Sequence, residues 1–137
     1  MKGLPRIVLL TLTIFLSVSA ILGGVGLLTG TNAPPLSFLQ NSVFATYVIP
    51  GLALLVLVGG SGALAAVLLL RADPRAWLAA LAAALIIIVF ECVEIAVVGS
   101  PEGLGRALQI FYFSVGIVIG SLALFLRARR GMTVREQ

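Results

Sequence analysis

The chain has 137 residues, enough for one domain, and it is 61% hydrophobic and only 10% charged. Soluble domains are roughly 45–50% apolar and about 25% charged, so a water-soluble fold of this size could not bury so much apolar surface. Nine Lys and Arg residues against five Asp and Glu give a net charge of +4, but these charges flank apolar stretches. The composition therefore excludes a soluble enzyme and predicts a lipid bilayer, not nucleic acid, as the main partner.

Residue types that carry much of enzyme and cofactor chemistry are missing or rare. The chain has no histidine, which removes His-based zinc sites, bis-His haem ligation and a histidine general base. Its single cysteine, Cys92, cannot form a disulfide within the chain. We therefore expect no metal, no cofactor and no enzymatic activity.

Four apolar stretches have the length that a bilayer crossing requires, about 20 residues for a helix. Backbone in lipid must satisfy its own hydrogen bonds, so unbroken apolar runs of this length are helices. The predicted fold is an all-α, single-domain bundle of four transmembrane helices, followed by a basic tail over 127–137. The four spans cover 7–28, 50–70, 77–98 and 107–126.

The Lys and Arg residues predict the orientation of the chain. One side of the predicted bundle has only Arg106, while the other eight basic residues flank the opposite side. The positive-inside rule then places both termini in the cytoplasm. A cleaved signal peptide ending near Val18-Ser19-Ala20 is the alternative for the first span, although the apolar run continues to Leu28 without a polar break.

Between the first two spans, an aromatic-rich connection follows Pro34-Pro35. We expect it to lie at the membrane–water interface on the side opposite the cytoplasm. Its apolar spacing suits a short surface helix, and Pro50 is expected to open or kink the second span. The apolar positions of that helix are Leu36, Leu39, Val43 and Phe44.

Glu91 and Glu94 are the most informative residues, because a carboxylate inside a span costs on the order of 2.5–3.5 kcal/mol. Their i, i+3 spacing places both on one helical face, near the outer end of the third span. The face continues toward the inner end through Ala84 and Ala80, small residues that favour helix packing. Cys92 points about 100° away from Glu91 and is expected to be a small buried residue rather than a metal ligand.

A matching stripe is predicted on the fourth span: Gln109, Tyr112, Gly116 and Gly120. In an antiparallel hairpin of spans three and four, its polar half meets the two glutamates and its glycines meet the alanines. Arg106 and Glu102 are expected at the mouth of this polar cluster, where Arg106 neutralises one glutamate. The cluster either holds the bundle together, forms an outward-facing cation or proton site, or contacts a partner subunit or a lipid headgroup.

Two stretches, 44–71 and 108–126, resemble those of small four-span bacterial membrane proteins of uncharacterised activity. This resemblance implies a bacterial inner-membrane protein and supplies no activity. The expected function is that of a non-enzymatic accessory or structural subunit of a larger assembly. The alternative is a small homo-oligomeric transporter or channel that uses Glu91 and Glu94, and an enzyme acting on lipid is a weaker third possibility.

Overall fold

A computed structural model describes residues 3–31, 33–40 and 42–136, without the side chains of 133–136. Lys2, one of the residues behind the predicted orientation, lies outside this part of the chain, as does the side chain of Arg135. The described chain is all-α and forms four packed helices, each long and apolar enough to cross a bilayer. They are α1 (Leu4–Thr29), α2 (Val48–Leu70), α3 (Ala76–Val98) and α4 (Leu104–Glu136).

The helices form a ring in which each packs against the next and α4 returns to α1. The α3–α4 contact is the most extensive, and α1 packs along α2, whereas α1 barely touches α3. The helices α2, α3 and α4 alternate in direction, because the two connections on either side of α3 are only a few residues long. Helices α1 and α2 are also antiparallel, since Gly24 faces Gly51 while Thr13 faces Gly62. Two ends follow from this arrangement. We call the end with the α3–α4 loop the acidic end and the end with the α2–α3 turn the basic end.

Each helix has one buried side and an apolar outer side. Leu9 and Leu16 of α1, Ala80 and Ala84 of α3 and Ile119 of α4 are among the residues buried in the core. The outer sides carry large apolar side chains, including Leu22, Val56, Leu64, Leu85, Val89 and Ile110. Exposed apolar surface on every helix would aggregate in water, so these sides contact the lipid bilayer.

The second helix is not a regular α-helix throughout. Its Ala53–Val58 stretch is π-helical, between a short α-helical start and the regular Gly59–Leu70 stretch. Pro50 lies in the first turn, where a missing N–H costs nothing. Gly51, just before the π-helical stretch, packs against α1, where an added Cβ at Gly24 would lie 2.8 Å from the Gly51 carbonyl oxygen. This close approach requires glycine, because any side chain at position 24 would overlap backbone.

The connection before α2 differs from the predicted surface helix. Only Leu36–Leu39 is helical, as a single 3₁₀ turn, while Val43 is almost fully exposed. Leu39 is buried and the turn lies against α3. The Tyr47 hydroxyl donates to the Pro35 carbonyl oxygen at 3.1 Å and closes the connection over the end of the bundle. Local contacts of this kind hold the segment without a full helix.

The fourth helix is longer than a membrane is thick. Its 33 residues span about 50 Å, against roughly 30 Å for the hydrocarbon core. The described part of the basic tail over 127–137 therefore continues the transmembrane helix beyond the basic end. Arg127 lies over the Trp77 ring, with the guanidinium carbon 5.0 Å from the ring centroid. This contact ties the emerging helix to the start of α3.

Candidate functional site

Glu91 lies inside the bundle, about two turns from the acidic end of α3. Its residue is 4% exposed, and the neighbours one, two and three turns away on the same face, Ile87, Ala84 and Ala80, are also buried. The Oε2 atom of Glu91 is buried and has no hydrogen-bond partner among the described residues. A buried carboxyl oxygen without a donor is costly, so this atom is the main unexplained feature of the core.

Gln109 joins α4 to the end of α3. Its Nε2 donates to Oε1 of Glu94 at 3.3 Å and to the Gly99 carbonyl oxygen at 2.9 Å. The residue is 3% exposed, and its own Oε1 has no partner among the described residues. Both N–H groups of the amide thus donate to α3 and the loop that follows it. The antiparallel hairpin of α3 and α4 brings Gln109 to the depth of Glu94, as expected. The cluster has two buried oxygens that lack a donor.

The glycines of α4 allow it to lie close to α3. An added Cβ at Gly116 would lie 2.9 Å from Cγ2 of Ile87 and 3.3 Å from the Ala84 carbonyl oxygen, and one at Gly120 would lie 3.4 Å from Cβ of Ala84. The expected small-residue contact is therefore present at Ala84, with both glycines on either side of it. Ala80 is fully buried one turn further toward the basic end.

Tyr112 does not join the glutamates. Its ring stacks on Phe15 of α1 with centroids 6.2 Å apart, and it meets Phe111 edge-on at 5.3 Å. Phe15 also contacts Phe111 at 5.8 Å, which makes a three-ring cluster between α1 and α4. Within the described chain the tyrosine hydroxyl has no hydrogen bond to Glu91 or Glu94. The predicted polar role of Tyr112 is replaced by aromatic packing, because α1 occupies the space on that side of α4.

Arg106 does not neutralise the glutamates, contrary to expectation. It is exposed and donates from Nη2 to the Ser100 carbonyl oxygen at 2.8 Å and from Nε to Ser100 Oγ at 3.3 Å. Glu102 is exposed on the same loop. The guanidinium of Arg106 bonds to the Ser100 carbonyl oxygen because this acceptor is only six residues away in the chain. A bond to either glutamate would require the side chain to enter the bundle. At the opposite end, Arg75 forms an ion pair with Asp73, with Nε 3.2 Å from Oδ1.

Cys92 is exposed on the outer side of α3, which corrects the prediction of a buried cysteine. The 100° step from Glu91 that separates it from the polar face also turns it toward lipid. Within the described residues no group of three or more Cys, Asp or Glu side chains is placed to hold a metal ion.

Sequence reasoning missed a groove on the lipid-facing side of the cluster. This groove of about 470 Å³ lies beside the π-helical stretch of α2 and the acidic end of α3, and it is lined by apolar side chains and by Glu94. Tyr47 lines the same space, and burial together with the nearby Glu94 carboxyl raises the pKa of its hydroxyl. The aromatic residues of the connection before α2 were the one feature of the sequence that pointed to this region. The sequence did not predict the π-helical stretch beside the groove.

The site therefore consists of Glu91, Glu94 and Gln109, with Tyr112 and Arg106 outside it. Comparison of the chain with models of protein families, with curated proteins and with solved structures found no match. The resemblance of 44–71 and 108–126 to small bacterial proteins thus extends only to four long apolar helices. Helix length, composition and the apolar outer surface establish an integral membrane protein with four spans.

Proposed function

We propose that this chain is a non-enzymatic accessory or structural subunit of a membrane assembly. The observation that carries this proposal is the apolar packing below the glutamates. From the level of Ile87 to the basic end, the α3–α4 interface is closed by small and aliphatic side chains. They are Ala80, Ala84, Ile87, Val115, Ile119 and Ala123, all buried.

A pathway for an ion through one chain would need polar groups or water at that depth. The buried polar residues of α1, Thr13 and Ser17, are satisfied by backbone: Ser17 Oγ donates to the Gly59 carbonyl oxygen at 2.8 Å, and Thr13 Oγ1 to that of Leu10 at 3.0 Å. These bonds join or cap helix backbone and leave no continuous polar line. The hydrogen bonds of Thr13 and Ser17 are therefore those of residues that hold the bundle together.

The dimensions of the chain support the same proposal. Most of the described residues belong to the four helices, and the connections are too short for a catalytic domain. The chain has no histidine to act as a base beside the carboxylates, and the thiol of Cys92 lies on the exposed side of α3. A membrane subunit acts through its surfaces, and a small rigid bundle provides such surfaces without chemistry of its own.

The mass and composition of the complex extracted gently from native membranes test this proposal. The chain carries a tag at its C-terminal end, and an unrelated four-span protein with the same tag is the control. We expect a second protein at a fixed ratio that is absent from the control. A single chain alone, or a homo-oligomer alone, would contradict an accessory role.

A second candidate is a homo-oligomeric proton- or cation-linked transporter, supported by the two buried oxygens without donors. Oε2 of Glu91 and Oε1 of Gln109 are both acceptors, and a proton or a cation would satisfy them. Because the core below them is apolar, a pathway would have to form between copies of the chain. Glu91 is the residue on which such a site depends.

Flux through reconstituted liposomes separates the two candidates. A transporter shows proton or monovalent cation flux that Glu91→Gln abolishes, because the amide cannot carry the charge. Glu102→Gln is the matched control, since it changes the same residue type at the same end on an exposed loop. Absence of flux from the unmodified chain, or equal flux in both variants, would rule out the transporter.

For location we propose a bacterial inner membrane with both termini in the cytoplasm. The arginines at the basic end support this orientation through the positive-inside rule. Labelling of single cysteines with a membrane-impermeant reagent tests it, after Cys92 is replaced by serine. A cysteine at position 102 should react in intact cells, and one at position 72 should react only after lysis; the reverse pattern would invert the bundle.

A further inference from the structure

A second cavity, of about 400 Å³, lies at the basic end, away from the glutamates. It is formed where the start of α1, the α2–α3 turn and the emerging part of α4 meet. Three arginines line it, Arg6, Arg129 and Arg130, together with one acidic residue, Asp73. Nothing in the proposed function uses this cavity.

Two of the arginines, Arg6 and Arg130, are held at the cavity by carbonyl oxygens of other elements, and Arg129 contacts its own helix. Arg6 of α1 donates from Nη2 to the Leu69 carbonyl oxygen in the last turn of α2. Arg130 of α4 donates from Nη1 to the Pro74 carbonyl oxygen in the α2–α3 turn, which uses one of the five N–H donors of its guanidinium. Arg129 lies with its guanidinium carbon 5.6 Å from the Phe125 ring centroid. Positive charge from two distant parts of the chain is thus brought to one place.

Asp73 offsets only part of this charge, because its carboxylate lies near Arg130 but is hydrogen-bonded to Arg75, an arginine outside the cavity lining. Oδ1 of Asp73 accepts from the backbone N–H of Arg75 at 2.8 Å and from its Nε at 3.2 Å, and Oδ2 accepts from its Nη2 at 3.4 Å. The bonds from Arg75 hold the pKa of the Asp73 carboxyl below its ordinary value. The lining therefore keeps an excess of positive charge.

The remaining lining is apolar and lies at the membrane boundary. Leu69, Trp77 and Leu126 come from the ends of three spans, and tryptophan is enriched at the level of lipid headgroups. A cavity lined by both arginines and apolar side chains is complementary to an amphiphilic molecule that carries a phosphate group. Basic pockets between transmembrane helices bind anionic headgroups by this combination.

We propose that this cavity is a binding site for a phosphate group, carried by an anionic lipid or by free phosphate. Arginine guanidinium groups bind phosphate oxygens through charge-assisted, often bidentate hydrogen bonds. Arg130 is the residue whose contribution is the most specific, because its contact with Pro74 fixes its guanidinium at the lining between α4 and the turn. The site is independent of the accessory role and of the acidic cluster.

Native mass spectrometry of the full chain in mild detergent tests the proposal. The probes are cardiolipin, phosphatidylcholine and inorganic phosphate, each titrated at about 0.15 M salt, where long-range attraction is screened beyond about 8 Å. We expect cardiolipin to be retained in preference to phosphatidylcholine. Arg130→Gln should weaken its retention at least about tenfold, the loss expected of a charged hydrogen-bond partner.

Arg71→Gln is the matched control, because it removes the same charge at the same end from an exposed position outside the cavity lining. It should weaken retention about threefold or less. If phosphate itself binds with the same dependence on Arg130, the site is a phosphate site whose source is free phosphate. Equal losses in Arg130→Gln and Arg71→Gln, or equal retention of the two lipids, would overturn the proposal.

Asp73→Asn keeps the test decisive if Arg130→Gln does not fold. The amide preserves the acceptor for Arg75 and removes the negative charge from the lining. Retention of cardiolipin should become at least about threefold tighter, since about 1 kcal/mol per charge near a membrane surface corresponds to about fivefold. Unchanged or weaker retention in this variant would contradict the site.

Discussion

The helices pack differently in the acidic half of the bundle and in the basic half. In the basic half, α2 and α3 are regular helices that bury alanines such as Ala65 and Ala83 in the core. In the acidic half, α2 has a π-helical stretch, glycine is needed where α1 and α2 meet, and a buried carboxyl oxygen has no partner within the described part of the chain. Irregular backbone, a groove and charged groups thus occur together, which is typical of functional sites.

The halves also differ in where they put charge. Glu91 and Glu94 lie within the span, and Gln109 from the neighbouring helix bonds to Glu94. The arginines of the basic end are long enough to reach helix-end carbonyls while remaining at the water boundary. A short carboxylate in a span must find its partner inside the protein, whereas an arginine near a helix end need not. The acidic half is therefore more sensitive to substitution.

The largest effect is expected at the α1–α2 contact of the acidic half. Gly24→Ala would place a Cβ 2.7 Å from Cβ of Leu55 and 2.9 Å from its backbone nitrogen, so one helix must shift. We expect a loss of about 2–3 kcal/mol in the free energy of unfolding. Unfolding by sodium dodecyl sulfate in mixed micelles, followed by circular dichroism, measures it.

Gly60→Ala is the control for this prediction, because an added Cβ there meets nothing within 4 Å. It should leave stability unchanged or raise it by up to about 1 kcal/mol, the helix propensity difference. Similar losses in both variants would mean that the glycines act through propensity and not through close approach.

A smaller effect is expected at the polar cluster. Gln109→Leu removes the donor to Glu94 and to the Gly99 carbonyl oxygen, and it should destabilise the bundle by about 1 kcal/mol, as is usual for polar contacts between transmembrane helices. The double variant Glu94→Leu/Gln109→Leu should recover part of this loss, because it leaves no carboxylate unpaired. Additive losses in the same unfolding assay would show that the two side chains do not interact.

At the basic end, the Arg127–Trp77 contact should contribute less. A cation–π pair at an exposed site gives about 0.5–1 kcal/mol. A double-mutant cycle with Arg127→Gln and Trp77→Leu measures the coupling between them. A coupling energy near zero would indicate that α4 emerges from the membrane without support from α3.

The smallest effect concerns the pH dependence of the turn at the basic end. The pKa of Asp73 is lowered in the folded chain by hydrogen bonds from Arg75, so its ionised form stabilises the fold. This stabilisation is fully present above the unfolded pKa of about 3.9 and is lost as the pH falls through the lower folded pKa. The stability difference between the unmodified chain and Asp73→Asn should therefore shrink between pH 6 and pH 2.

A difference that stays constant over this range would show that the Asp73 carboxylate does not depend on Arg75. Arg75→Gln provides a second check, because it removes the donor side chain and should bring the titration of Asp73 closer to its ordinary range. Both measurements confine the effect to an exposed turn, where solvent limits its size.

The sequence alone determined the class of the protein and the number of its helices. Unbroken apolar runs admit only helices in lipid, so the four predicted spans agree with the observed helices to within three residues where each begins. The antiparallel pairing of α3 and α4 that brings Gln109 to Glu94 also followed from the sequence. The loop between these helices is short, so their facing stripes of small and polar residues can align in one register.

Only the tertiary structure decided which neighbours the polar side chains find. Tyr112 packs on Phe15, Arg106 bonds to Ser100 and Cys92 faces outward, and each depends on the position of a third element. Helical periodicity places a side chain on a face but contains no information about which helix covers that face. The π-helical turn of α2 and the cavity at the basic end arise in the same way, from contacts between segments distant in the chain.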